Sequence, residues 1–140
     1  MPLVVLDTNV LVAAVRSRRG ASFQVLSRVG TRDVEIVVSV PLVLEYEDAL
    51  LRQIGSSNLT PADVQDLVDY LCGVARQQDI FYLWRPLLRD PNDDMVAEVA
   101  VAAGCEAIVT HNRRDFAGVE RFNLSIWSPA EFLKQIGVRK

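Results

Sequence analysis

The chain has 140 residues, half of them apolar and 24% charged. That is long enough to close one hydrophobic core without disulfides or a structural metal, and too apolar to stay disordered. Fifteen Lys and Arg against eighteen Asp and Glu leave a net charge of −3, which argues against holding a polyanion through bulk positive charge. The positive charge is carried by thirteen Arg and only two Lys, Lys134 and Lys140, and Arg suits bidentate contact with phosphate or carboxylate. The single histidine, His111, excludes a zinc site built from several histidines, an HExxH metalloprotease and a two-histidine ribonuclease. Cys72 and Cys105 form no CxxC and read as reduced, packed cysteines. The N-terminus lacks a basic start and Asp7 interrupts its apolar run, so it does not read as a signal peptide. No apolar stretch reaches the ~20 residues of a membrane span. The expectation is a soluble cytoplasmic protein.

In chain order, Leu3 to Leu6 is a continuous apolar run ending at Asp7, the pattern of a strand buried on both faces of a parallel sheet. Val10 to Val15 reads as helix, with Arg16, Arg18 and Arg19 at its exposed end and Gly20 as a stop. Ser22 to Val29 reads as a second helix ended by Gly30, and Glu35 to Ser39 as a β-branched strand. Pro41 fits the first turn of a helix running to about Ile54. Thr60 and Asp63 form a capping box for a helix carrying Val64, Leu67, Val68 and Leu71. Ile80 to Trp84 reads as a third strand, followed by a turn over Arg89 to Asp94 and a small-residue helix from Met95 to Ala103. Ala107 to Thr110 and Leu124 to Trp127 read as the last strands, separated by a helical turn at Asn112 to Phe116. Ser128 and Glu131 cap a final helix. This alternation predicts a single α/β domain with a mainly parallel sheet and helices on both faces.

In open α/β sheets, ligands bind beyond the carboxyl ends of the strands. Asp7 follows the first strand there. Glu45 and Glu47 lie on the helix after the second, Asp93 and Asp94 precede the small-residue helix, and Thr110, Asn112 and Asp115 follow the fourth strand. Four segments thus deliver carboxylates to one sheet edge. Clustered like charges raise one another's pKa unless a cation sits between them. Hard carboxylate oxygens suit Mg²⁺ or Mn²⁺, and such a metal can bind a phosphate oxygen and activate water for in-line attack. Each acid also has an ordinary role: Asp7 as a helix cap, Asp93 and Asp94 as partners of a helix dipole, Asp115 as a turn residue. Glu45 and Glu47 flank the apolar stripe of their helix on opposite sides, and helical spacing does not choose between them. Glu98, one turn after Asp94, reads as a reserve ligand or a structural acid. His111 reads as a surface or hydrogen-bonded side chain rather than a catalyst.

Taken together, four segments resemble the motifs of the PIN domain family, the fold of VapC-like toxin ribonucleases. They are Val5 to Leu11, Ser39 with Glu45 and Ala49-Leu50, Asp90 to Asp94 running into an Ala-rich helix, and Val109 to Phe116. The resemblance spans about Val4 to Phe132. It implies a three-layer α/β/α fold with a five-stranded parallel sheet over a single domain, residues 1–140. It implies an acidic pocket for Mg²⁺ or Mn²⁺ and endonucleolytic cleavage of RNA. By position it assigns Asp7, Glu45, Asp94 and Asp115 as metal-binding catalytic acids, selecting Glu45 over Glu47. Thr8, Asp93, Thr110 and Asn112 become supporting groups. The Asp90-Pro91 form of the third motif and the long third helix resemble the toxin components of toxin–antitoxin systems, implying a small antitoxin partner and a PIN-type homodimer.

Arg16, Arg18, Arg19, Arg113 and Arg114 are candidates to position an RNA backbone. The alternatives are a non-catalytic PIN-fold module that binds RNA or protein, and a solitary RNA-processing nuclease. Clustered acids give a pure binder no advantage, and calorimetric titration with Mn²⁺ separates the two classes. A haloacid-dehalogenase-like phosphatase wants a second Asp where Asn9 stands. A receiver domain wants a Lys near the fourth or fifth strand, where there is none, and a P-loop sequence is lacking.

Overall fold

The computed structural model describes residues 2–80 and 91–137. Five short strands form one parallel sheet: β1 (Leu3–Leu6), β2 (Glu35–Val38), β3 (Arg76–Gln77), β4 (Ala107–Val109) and β5 (Ser125–Trp127). Their order is β3-β2-β1-β4-β5, with every pairing parallel. The chain thus leaves β1 towards one edge through β2 and β3 and returns to its other side with β4 and β5. The order reverses between β1 and β4, the place where the carboxyl ends of an open sheet leave a crevice. Val4, Val5 and Leu6 of β1 and all three residues of β4 are buried to zero exposure, which is why both strands are unbroken apolar runs.

Among the described residues, six helices pack around the sheet: α1 (Thr8–Arg16), α2 (Ala21–Arg28), α3 (Val40–Leu51), α4 (Pro61–Val74), α5 (Pro91–Ala103) and α6 (Pro129–Gln135). α2 packs on α1 and α6, while α3 packs on α4 and α5. Local sequence sets their starts. Asp7, Ser39, Thr60 and Ser128 each cap a helix with the side chain, and the capping boxes Thr60–Asp63 and Ser128–Glu131 are both formed. Tyr46, Phe116 and Phe132 are the largest side chains sealed in the core. Cys72 and Cys105 are free, and burial pushes the Cys105 thiol up to about 12, so it packs as an unreactive apolar group.

Four elements depart from expectation. The third strand among the described residues is Arg76–Gln77, ahead of the expected one: Ile80 lies outside any strand, and residues 81–84 of that expectation lie outside the described residues. β3 is an exposed edge strand held to β2 by backbone pairing and the Arg76–Glu35 ion pair at 3.2 Å, so no apolar pattern marks it. α1 starts at Thr8, ahead of its first buried residue, because Asp7 caps it. α3 ends at Leu51, and a 3₁₀ turn at Ile54–Ser56 follows. Finally, Pro91 to Asp94 belong to the first turn of α5 rather than to a preceding turn. Proline is well suited there, since the missing N–H has no intrahelical partner in any case. Arg89 and Asp90 lie outside the described residues.

Candidate active site

Asp7 ends β1 and begins α1, so its backbone faces the switch point while its side chain caps the helix. It is 7% exposed. One carboxylate oxygen, Oδ1, accepts the Thr8 backbone N–H at 2.8 Å, and Oδ2 accepts the Thr110 hydroxyl at 2.7 Å. The Asp7 N–H in turn donates to the carbonyl of Val109 on β4 at 2.9 Å. Asp7 therefore holds both roles open to it in the sequence, helix cap and site residue. Thr8 contributes its backbone N–H.

Thr110 is fully buried, and its hydroxyl serves three partners. It donates to Asp7, and accepts the Asn112 N–H at 3.0 Å and the Asn9 amide at 3.4 Å. Asn9 also accepts the His111 N–H at 3.3 Å. The loop after β4 is thereby clamped to the start of α1. The His111 ring is bonded to the Ser22 hydroxyl of α2 through Nε2 at 2.6 Å. Ser22 carries no signal in the sequence and Asn9 only its place in the Val5 to Leu11 motif; the meeting of β1, β4 and α2 is what joins them to Thr110 and His111.

Beyond Asn112 the chain forms a 3₁₀ turn, Arg113–Phe116, pinned by the sealed ring of Phe116. It leaves Asp115 exposed and close enough to Asp7 for their charges to interact. Burial holds the Asp7 carboxyl above its ordinary value. The bonds from Thr110 and Thr8 pull it back, and the Asp115 charge pushes it up again. Below Asp7, the buried Tyr46 of α3 donates its hydroxyl to the Leu6 carbonyl. Burial, and then the Asp7 charge, push that phenol up, so it stays a neutral donor.

The other predicted acids stand in different arrangements. Glu45 pairs with Arg52 at 3.5 Å, and Arg52 also reaches Asp48 at 3.1 Å. Asp93 and Asp94 are half-buried in the first turn of α5, where both already make interactions. Glu98 Oε2 is buried with no hydrogen-bond partner among the described residues. Burial, then the Asp94 charge, raise its pKa. So Asp7 and Asp115 face one another electrostatically, as do Asp94 and Glu98. Among the described residues, no three His, Cys, Asp or Glu side chains converge on one metal position. Of the candidate arginines, Arg16, Arg18, Arg19 and Arg114 are exposed, whereas Arg113 pairs with Glu131 at 3.2 Å.

A carboxylate fixed at a switch point, with further acids on neighbouring elements, is one chemical signature. The family assignment rests on a second observation: a family model described as PIN domain matches residues 3–114. The chain belongs to the PIN domain family. PIN domains are usually nucleases, which places this one among hydrolases at that level, and PIN nucleases generally use divalent metals. No curated protein matches the chain. Among solved structures, this PIN domain is similar to VapBC2 from Rickettsia felis, solved bound to a DNA fragment from their promoter. The identity is 19% over 90% of this chain and 99% of that one, with a TM-score of 0.63, a likeness of fold. No helix among the described residues is long and apolar enough to cross a membrane.

Proposed function

We propose that this PIN domain is a metal-dependent endoribonuclease, hydrolysing RNA phosphodiester bonds as the toxin of a type II toxin–antitoxin pair. The observation that carries the reading is Asp7. It is a buried carboxylate at the switch point whose two oxygens are each oriented by one hydrogen bond, leaving lone pairs on both for a cation. The donor set fits Mg²⁺ or Mn²⁺: every candidate is a hard carboxylate oxygen, and Glu98 Oε2 is an orphaned acceptor beside Asp94. A cation would also offset the repulsion that Asp115 imposes on Asp7.

Asp7, Asp94 and Asp115 would hold the ion and its waters, with Asp93 and Glu98 close to Asp94. Glu45 would complete the set or hold the attacking water. To do so it exchanges Arg52, a half-open pair at 3.5 Å whose loss costs little. When bound, the metal supplies the positive charge that polarises the scissile phosphate and activates water. Thr110 and Asn112 keep Asp7 and the 3₁₀ turn in register, and Arg16, Arg18, Arg19 and Arg114 offer the RNA backbone their free guanidinium groups. Arg113, held by Glu131, positions RNA only by releasing that partner.

The fold likeness to VapBC2 supports a small antitoxin as partner. A homodimer is expected beside it. Val40, Leu44 and Leu51, exposed along α3, are apolar surface that a protein partner would cover. The test is Mn²⁺-dependent cleavage of an RNA oligonucleotide by wild type and Asp7→Asn. The substitution is expected to reduce the rate about 100-fold or more. Undiminished cleavage by Asp7→Asn would remove Asp7 from the mechanism and the proposal with it.

A further inference from the structure

His111 is the chain's only histidine, and its environment is unlike that of an ordinary surface side chain. The residue is exposed, yet it is held at both ends. Its backbone N–H donates to Asn9, and its Nε2 lies 2.6 Å from the hydroxyl of Ser22, a residue only 3% exposed. Ordering an exposed ring loses rotamer entropy that the solvent would otherwise leave it. No described residue bonds the other ring nitrogen, Nδ1. In the tautomer in which the Ser22 hydroxyl donates to Nε2, the ring proton sits on Nδ1 and is offered as a donor.

The position matters as much as the geometry. His111 directly follows Thr110, whose hydroxyl holds Asp7. Ser22 follows the exposed Arg18 and Arg19 in the connection from α1 to α2. The imidazole therefore stands between the carboxylate pocket and an arginine-bearing turn.

We propose that His111 is a substrate-contacting residue: Ser22 fixes its imidazole so that Nδ1–H binds a backbone phosphate of the RNA strand entering the Asp7 pocket. This inference rests on the ribonuclease reading above. Nδ1–H gives a phosphate oxygen a directional donor, and the guanidinium groups of Arg18 and Arg19 continue the path for the next phosphates. Ser22 is a positioning residue that acts through His111.

A single histidine makes the test direct, because the protein has one set of imidazole NMR signals. Wild-type protein in EDTA, which blocks metal-dependent cleavage, is titrated with a short single-stranded RNA. The ring signals are expected to move in step with binding. Binding to His111→Gln should be about tenfold weaker, the effect of one charge-assisted hydrogen bond. Under Mn²⁺ the same variant should show a raised KM with kcat changed less. Ser22→Ala should fall between the two proteins. Unmoved ring signals in a wild-type protein that binds and cleaves RNA would overturn this assignment alone. A wild-type protein that neither binds nor cleaves RNA would overturn both it and the ribonuclease reading. The wild-type titration decides the matter even if a variant fails to fold.

Discussion

The Thr110 hydroxyl donates to Asp7 Oδ2 and accepts two N–H groups, so it cannot turn away without breaking three hydrogen bonds, one of them to a buried carboxylate. That constraint holds Asp7 in place where burial disfavours its charge. Folding raises the Asp7 pKa above its ordinary 3.8, so the folded state favours the protonated acid. The sign follows: Asp7's contribution is fully present below pH 3.8 and is lost as pH rises through its folded value. At neutral pH the metal-free protein therefore carries a destabilising carboxylate. Asp7→Asn is expected to stabilise the metal-free protein by about 1 kcal/mol at pH 7, roughly 3 °C in Tm, with the gain shrinking towards pH 4. Thermal melts in EDTA across that range check this. A variant that melts lower than wild type at pH 7 would mean that the lost acceptor outweighs the burial of charge.

At the scale of elements, the connection from α2 to β2 sets where Ser22 stands, because α2 ends there. Gly30 makes that turn at φ +88, and a Cβ on it would lie 2.2 Å from the Tyr70 hydroxyl. That hydroxyl donates to the Val29 carbonyl at 2.7 Å, tying α4 to the end of α2. Gly30→Ala adds a left-handed backbone cost and displaces Tyr70 from its bond. Together these should remove about 2–3 kcal/mol of stability. Tyr70→Phe, which loses only the hydrogen bond, should remove about 1 kcal/mol. Urea denaturation measures both, and equal losses would show that backbone strain at Gly30 contributes nothing. The same scale shows why β3 escapes the sequence. Arg76 and Gln77 are polar and exposed, paired to β2 through main chain and the Arg76–Glu35 ion pair, so hydrophobic periodicity has nothing to register. β1 and β4, sealed on both faces, are legible as unbroken apolar runs.

For the whole molecule, the net charge of −3 acquires a local meaning. Asp7, Glu45, Asp94 and Asp115 account for four negative charges assigned to one region, and the rest of the chain is slightly positive. A nucleic-acid substrate is compatible with that balance if a metal and a few arginines, rather than bulk charge, meet the phosphates. An ion that binds only the folded protein stabilises it by mass action. At 100 times its Kd, Mn²⁺ should add about 2.7 kcal/mol to wild type, and Asp7→Asn should gain much less. A calorimetric scan with and without Mn²⁺ reads this independently of any RNA. Equal stabilisation of both proteins would place the ion elsewhere than at Asp7.

The sequence by itself determined the α/β class, the parallel strands β1, β2, β4 and β5, the helix caps at Thr60 and Ser128, and the family resemblance. It could do so because those features are local: an apolar run, a cap three residues from its partner, an acid following a strand. Of the site, it placed Asp7 after β1, Asp94 just before the small-residue helix and Asp115 in the turn after β4. Tertiary structure alone decided how they stand: Asp7 and Asp115 as electrostatic neighbours, Asp94 beside Glu98, and Glu45 drawn to Arg52. It alone joined Thr110 to Asp7 and His111 to Ser22, across separations of 103 and 89 residues. Hydrogen bonds between segments so distant in the chain depend on how β1, β4 and α2 pack, and no local pattern of residues encodes that packing.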